Sequence, residues 1–424
     1  MDAELIDVLI VGGGPAGACV GALLARAVVG KAKPLRIVVL EPRRPAAAGA
    51  GDPLDSRVVA ISRASERVIG SAGAWGQIAG ARLGGGAETR LRLCAYERMR
   101  VWHESVAVGD PGALKFDAAD AGEPNLGYIV ENRVLQAALL DAFVDAGGTL
   151  ELGQLTGLRI DAASASVETS RGTLSARLVI GADGAQSAVR QAVGLTAEAS
   201  DYSQTAIVAT VSTERSHERT AWQRFMRDGT LAFLPLADGT SSIVWSADND
   251  LAKTLLAASP EAFAAELDRA SDLALGPTRL VTERMSFPLQ RMSAHRYVAQ
   301  RCALIGDAAH VVHPLAGQGV NLGLLDAAAL AEVIIDGRGE KEDPGAMRLL
   351  RKYERWRKSE IAFISGAIDA FDRFLAHGSG PVAKLAQQGL GWVNRSQELK
   401  RFFVGRALGV TGDLPRAARK AAWT

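Results

Sequence analysis

The sequence predicts an α/β protein in which a parallel-sheet domain, discontinuous in the chain, receives an antiparallel β-rich insert and is followed by a helical region. Three observations predict it. Near the N-terminus an apolar strand pattern runs into a Gly-rich turn, a small-residue helix and a second strand. After about residue 190 the pattern shifts to the alternation of half-buried strands. Near residue 305 an apolar run ends in Gly-Asp, and a helix pattern resumes as though the first domain had returned.

Residues 5–11 form the first strand pattern, and Gly12-Gly13-Gly14-Pro15-Ala16-Gly17 follows. Residues 18–29 read as a helix and residues 36–41 as a second strand ending in Glu41. Gly12, Gly14 and Gly17 take the positions that permit a tight turn, the approach of a pyrophosphate, and helix-on-strand packing. The helix N-terminus adds free N–H groups for phosphate. Glu41 stands where a carboxylate accepts from adenosine ribose hydroxyls. The pattern points to an adenine dinucleotide and does not separate FAD from NAD.

Arg57, in Asp55-Ser56-Arg57, is placed to reach a phosphate or a flavin edge, or to be a surface arginine; a helix ending near Gly70 follows. Residues 91–96 and 99–103 alternate like half-buried strands, and residues 109–123 read as a loop. Glu131-Asn132-Arg133 opens a helix with Leu135, Leu139 and Leu140 on one stripe; Arg133 reads equally as cofactor-facing or as surface capping. A strand over residues 178–180 enters an Asp183-Gly184 turn. Residues 203–213, 230–237 and 240–247 are β-rich, with Asp238-Gly239 as a hairpin turn. Residues 251–272 and 347–375 read as helices. The expected boundaries are 1–78, 104–190 and 284–345 for the nucleotide domain, 79–103 and 191–283 for the β-rich domain, and 346–424 for the helical region.

The segment around Gly306-Asp307 has its own logic. Asp307 sits where a strand gives way to a turn, Gly317 and Gly319 let backbone approach something flat or charged, and Asn321 is expected to N-cap the next helix. It is read as wrapping the flavin end of the cofactor. Asp307, His310 and His313 invite a metal reading, but Pro314 breaks the helix such a site needs, and no metal is expected.

Composition bounds the rest. A chain of 424 residues has room for a large core. A net charge of +1 gives no field favouring nucleic acid. Cys19, Cys94 and Cys302 read as buried thiols in a reducing compartment. No secretory signal is read at the N-terminus, and no run is read as approaching the roughly 18 apolar residues of a membrane span. A cytoplasmic protein is expected, or one held peripherally at the inner face of the membrane. The basic tail, with Lys400, Arg401 and Arg406 among its cations, is a candidate for contact with an anionic membrane or a partner, or it packs on its own domain.

Three signals in this order, Gly12-x-Gly14-x-x-Gly17 with Glu41, Asp183-Gly184, and Gly306-Asp307 with Gly317-Gln318-Gly319-Val320-Asn321-Leu322-Gly323, resemble the single-component flavin-dependent aromatic hydroxylases. Asp55-x-Arg57, Glu131-Asn132-Arg133, Phe233-Leu234-Pro235-Leu236, Ser242-Ile243-Val244-Trp245 and Phe287-Pro288-Leu289 are similar to the ubiquinone-biosynthesis hydroxylase family within that group. The resemblance implies a Rossmann-like FAD-binding domain and hydroxylation of a polyprenylated phenol by O2, through a flavin C4a-hydroperoxide, with NAD(P)H or another reductant as transient donor. It assigns Gly12, Gly14, Pro15, Ala16, Gly17 and Glu41 to the ADP half, and Arg57 and Arg133 to FAD. Asp183 lies on the pyrophosphate and nicotinamide path, and Gly306 and Asp307 at the ribityl chain. Pro314, Gly317, Gly319, Val320, Asn321 and Leu322 line the isoalloxazine, with His313 and Gln318 nearby. No side chain need be a strong nucleophile. The isoprenoid tail calls for an apolar channel, with Phe225, Phe233, Leu234, Val244 and Trp245 as its expected wall. Membership of a ubiquinone-biosynthesis protein complex is a further implication. The alternatives are a hydroxylase of a small soluble aromatic and a non-catalytic FAD-binding subunit; a flavin halogenase is disfavoured because no Trp-x-Trp-x-Ile-Pro run occurs.

Overall fold

The first strand, Ile6–Val11, is buried almost throughout, which explains its unbroken apolar run. It pairs in parallel with Ile37–Glu41 on one side and with Gly172–Gly181 on the other. The helix Pro15–Arg26 crosses between the first two strands. The computed structural model describes residues 5–27, 33–84, 89–110, 112–313, 318–339, 342–375, 409 and 411–420. In this sheet Thr149–Leu152 extends one edge in parallel, and Cys302–Leu304 adds a parallel strand to the C-terminal half of Gly172–Gly181. Leu155–Ile160 and Ala165–Thr169 extend its N-terminal half as an antiparallel meander. The strand leading to Gly306 thus returns beside the first strands, as the interrupted-domain reading requires.

Among the described residues the second sheet has nine strands. Ala197–Thr213, Ser241–Asp248, Gly229–Pro235 and Thr220–Met226 run antiparallel side by side, and Arg98–His103 joins Thr220–Met226 in parallel. The hairpin at Asp238-Gly239 forms with Gly239 at φ +93°. The strand Thr220–Met226 was not read from the sequence. Residues 251–272, read as one helix, are two, Asn249–Ala257 and Pro260–Ala270. Ser259 caps the second through the Ala262 amide, and Pro260 at its first position cannot continue the preceding helix.

Sheet membership also corrects the expected boundaries. Leu114–Asp117, in a stretch read as a loop of the nucleotide domain, pairs with Arg98–His103 in the nine-stranded sheet. Met285–Ala294 and His310–Val311 belong to that sheet as well, although residues 284–345 were assigned to the nucleotide domain. The chain crosses between the two sheets more often than the change in period suggests.

The helix Gln318–Gly339 follows, and it packs on the helix Pro15–Arg26. By length and composition it could cross a membrane, against the expectation that no run approaches that, but 72% of its apolar window is buried. Its apolarity is that of a core helix. The three cysteines are free and buried. At the other end of the described chain Arg416 pairs with Glu332 and Asp336, and Lys420 with Glu123, so these tail cations lie against the protein itself. Lys400, Arg401 and Arg406 lie outside the described residues.

Candidate active site

Two ends of a site meet at the helix Pro15–Arg26. At one end Gly12 has φ +102°, and a Cβ there would stand 2.3 Å from the Ala182 carbonyl oxygen. A Cβ on Gly17 would stand 1.9 Å from the Gly12 carbonyl oxygen. Gly14 differs: its backbone is ordinary, at φ −64° and ψ 178°, and a Cβ there meets nothing within 4 Å. Among the described residues the space beside Gly14 is open, and no side chain caps the helix that starts at Pro15. Exposed amides beside an open space are what a pyrophosphate needs. Glu41 accepts from the Gly13 amide at 2.6 Å, and Gln136 donates to the Gly13 carbonyl at 3.0 Å, so side chains hold the turn from both sides.

At the other end Gly306 has φ +57°, and a Cβ there would lie 3.3 Å from the Ala16 methyl. The loop after Cys302–Leu304 therefore sits directly on the start of the glycine-turn helix. The loop is held from beneath by Asp326. This carboxylate is fully buried and accepts from the Gly306 amide at 3.0 Å, from Arg357 Nε at 2.7 Å, and pairs with His310 Nε2 at 2.6 Å. Burial alone would raise the Asp326 carboxyl; His310 and Arg357 outweigh it and hold it below its usual range. Tyr353 donates to the Leu304 carbonyl at 2.9 Å and secures the strand that feeds the loop.

Asp307 is left facing the cleft. It is exposed, and it has no hydrogen-bond partner among the described residues. Crowding by protein pushes its carboxyl up, His310 opposes the shift and Asp326 adds to it; solvent in the open cleft moderates all three. A lone acceptor facing the cleft fits a polyhydroxylated chain. Together with the open space at Gly14, it makes the site fit an extended dinucleotide with a ribityl segment. Asp307, His310 and His313 do not converge: His310 faces Asp326, while His313 packs edge-on to Tyr202 and reaches Gln204 at 3.4 Å.

Asn321 is not an N-cap. It is the fourth residue of the helix Gln318–Gly339, and its amide works sideways. It accepts from the Ser62 amide at 2.9 Å and donates to the Ala60 carbonyl at 2.8 Å, clamping the helix to the strand Val58–Ser62. Gly319 and Val320, the two residues before it, line a cavity of about 380 Å³ together with Asp307, Val311 and Val312. Gln318 begins the helix, half-buried, and Leu322 is buried; neither lines the cavity. Pro314 and Gly317 lie outside the described residues.

The far wall of the cavity is one face of the nine-stranded sheet. Alternation decides which residues reach it. Leu234 and Val244 line the cavity as expected. Phe233 and Trp245 point to the opposite face, where Trp245 packs at 5.9 Å from Phe263 beneath the two helices. Phe225 is buried and is also not a lining residue. Two of the five expected wall residues therefore line the cavity: within the neighbouring pairs Phe233-Leu234 and Val244-Trp245, alternation sends one side chain to each face of the sheet.

Asp183 spends its carboxylate locally, on the Ser187 hydroxyl at 2.6 Å and the Val189 amide at 3.0 Å, while the Ala182 backbone before it abuts Gly12. Arg133 bonds the Pro53 carbonyl at 3.0 Å and lies 3.3 Å from Glu131. Arg57 is exposed, its guanidinium 5.9 Å from the ring centre of Phe287 at the cavity wall. The organising residue of this region is Arg92, which the sequence did not single out. It forms a bidentate, buried pair with Glu131 at 2.6 and 3.0 Å and bonds the carbonyls of Gly49, Asp52 and Pro53. Asp326 did leave a signal: it is the lone charge in an otherwise apolar helical stretch, residues 322–331.

Comparison with known proteins decides what this site belongs to. Residues 152–362 match the model of an FAD-binding domain family. The chain is 39% identical to the ubiquinone hydroxylase UbiL of Rhodospirillum rubrum, over 96% of this chain and 90% of that protein. It is 33% identical to the 3-demethoxyubiquinol 3-hydroxylase of Escherichia coli, over 95% of this chain and 98% of that protein. The chain belongs to the ubiquinone-biosynthesis hydroxylase family. Its cofactor is FAD, and it is an FAD-dependent aromatic monooxygenase. Among solved structures, p-nitrophenol 4-monooxygenase PnpA of Pseudomonas putida superposes with a TM-score of 0.72 at 20% identity, covering 95% of this chain and 98% of that one. That likeness shows a shared fold.

Proposed function

We propose that this protein hydroxylates the aromatic ring of a polyprenylated phenol in ubiquinone biosynthesis, consuming O2 and electrons from NAD(P)H or another reductant. The observation that carries the substrate class is the chemistry of the cavity. Among the described residues its lining includes Val58, Ile129, Ala206, Leu234, Val244 and Leu289, and no Arg, Lys or His. A benzoate would bring a carboxylate into this lining with no cation to meet it, at a cost of several kcal/mol. A neutral phenol with an apolar tail brings none. This disfavours a hydroxylase of small aromatic acids. The relatives named above are ubiquinone-pathway hydroxylases, which supports the same choice.

In this reading Gly12, Gly14, Gly17 and the start of the helix Pro15–Arg26 hold the pyrophosphate, with Pro15 and Ala16 in the first turn. Glu41 exchanges its Gly13 amide contact for ribose hydroxyls. Asp307 accepts from the ribityl hydroxyls, and Gly319 and Val320 lie along the isoalloxazine. Arg57, Arg133 and Asp183 approach the cofactor from the loops that Arg92 and Ser187 hold in place. FAD, when bound, supplies the activation of dioxygen and the transfer of one oxygen atom to the ring. The protein's part is to exclude water and to align the ring. Val58, Val59, Ala60, Val311 and Val312 form a dry margin around the cofactor side of the cavity.

The basic tail around Lys400, Arg401 and Arg406 brings the enzyme to an anionic membrane surface or to other proteins of the pathway, where the polyprenyl substrate resides. Reversing those three charges should reduce co-sedimentation with anionic vesicles. The activity itself is tested by quinone profiling of a strain lacking the protein. A prenylated intermediate short of one ring hydroxyl should accumulate, and its structure names the ring carbon. Normal quinone in a strain with no second hydroxylase would contradict the assignment.

A further inference from the structure

Besides Asp307 and Tyr96, the cavity wall carries a cluster of three polar side chains. On the cavity face of the nine-stranded sheet, Gln223, Thr230 and Ser246 are 5%, 6% and 2% exposed and line the cavity. None of the three side chains has a hydrogen-bond partner among the described residues. Register makes them one patch. Thr230 stands directly opposite Ser246, and Gln223 stands opposite Ala232, two residues further along the strand of Thr230. Directly opposed side chains on a sheet start roughly 5 Å apart and diagonal ones about 7–8 Å, within reach of one aromatic ring. Their neighbours on the same face, Ala206, Val208, Ala221, Leu234 and Val244, are apolar.

An amide and two hydroxyls in such a wall are costly unless something bonds them. We propose that Gln223, with Thr230 and Ser246, recognises the ring oxygens of a neutral substrate ring and so fixes which carbon faces the cofactor. This rests on the hydroxylase reading above and deepens it. A carboxamide offers an acceptor and two donors, and each hydroxyl offers both. Such a mixed set bonds a phenol, which donates, and a methoxy oxygen, which only accepts. It offers no charge to pair a carboxylate. Tyr96 also lines the cavity; burial pushes its phenol up to about 12, so at neutral pH it remains a donor.

The test uses the FAD-loaded full chain and two probes: a 2-methoxyphenol with a short prenyl chain, and the same prenylbenzene without ring oxygens. Binding is read by calorimetry, and the ratio of hydroxylated product to hydrogen peroxide by turnover with chemically reduced enzyme. In Gln223→Leu, which keeps the volume close, affinity for the methoxyphenol should fall about tenfold, the yield of two bonds at the usual strength. Affinity for the arene should stay within about twofold, and turnover should shift towards peroxide. Ser246→Ala and Thr230→Val should show the same selectivity at about threefold, and they carry the test if the leucine variant fails to hold FAD. Equal weakening of both probes, or no weakening, overturns the patch while the hydroxylase reading stands. A wild-type enzyme that binds and hydroxylates neither probe overturns both.

Discussion

The two ends of the proposed FAD site are built by different means. The glycine-turn end is held by backbone shape: Gly12 and Gly17 are there because a Cβ would collide with carbonyls 2.3 and 1.9 Å away. The Gly306-Asp307 end is held by a buried charge network, with Asp326 taking the Gly306 amide, His310 and Arg357 at once. Steric exclusion acts over five residues at Gly17, against the Gly12 carbonyl, and across 170 positions at Gly12, against the Ala182 carbonyl. The charge network joins residues that the chain separates by up to 51 positions, from Gly306 to Arg357. One end is therefore fixed by steric exclusion and the other by buried charge, and the two respond differently to substitution and to pH.

The sharpest way to break this contrast is at the first end. Gly12→Val places a branched side chain at φ +102° against the Ala182 carbonyl, and it should destabilise by about 4–5 kcal/mol or abolish soluble folding, read by urea unfolding. Asp326→Ala comes next. It leaves the Arg357 guanidinium, 2% exposed, without its carboxylate, and should cost about 3–5 kcal/mol. A cost under about 1 kcal/mol would mean the network does not hold the loop.

Acid separates the ends further. The Asp326 carboxyl is held below its usual value in the folded protein, so its stabilising contribution is complete above the ordinary carboxylate range, near pH 4. That contribution is lost as pH falls through the lower folded value. Asp326→Asn should therefore flatten the fall in stability below about pH 4, whereas a glycine-turn variant should leave its slope unchanged. Parallel acid profiles for the wild type and Asp326→Asn would remove the electrostatic account.

The same contrast explains what was legible. The glycine turn was legible through its spacing, because a turn and its helix are contiguous, and Gly12 and Gly17 stand where a Cβ would collide. Asp307 was legible as a strand end, and it faces the cleft with no hydrogen-bond partner among the described residues. Asn321 was misjudged as a cap, since its partners Ala60 and Ser62 lie some 260 residues away. Arg92 sits in an alternating strand-like pattern that says nothing of Glu131 or of the carbonyls of Gly49 and Pro53. The cavity wall was read by residue type when it should have been read by parity. Phe233 and Trp245 look like a lipid channel but fill the opposite face, while Gln223, Thr230 and Ser246 face inward. Pairing register is a long-range property, and only the strand Thr220–Met226 in place reveals it.

Smallest in stability, and most telling, are changes at the two positions that make room for the cofactor. Gly14→Ala adds a methyl that meets no protein atom within 4 Å, so the apoprotein should change by no more than about 1 kcal/mol. FAD affinity should nevertheless fall, because the methyl enters the space beside the helix N-terminus. Asp307→Ala is the most direct test of the central claim, that one FAD is held between the glycine turn and the Gly306-Asp307 loop. Flavin titration of the apoprotein, paired with its thermal unfolding, reads both consequences. FAD should bind at least tenfold more weakly while apoprotein stability stays within about 0.5 kcal/mol of wild type. Wild-type FAD affinity in Asp307→Ala would contradict the account.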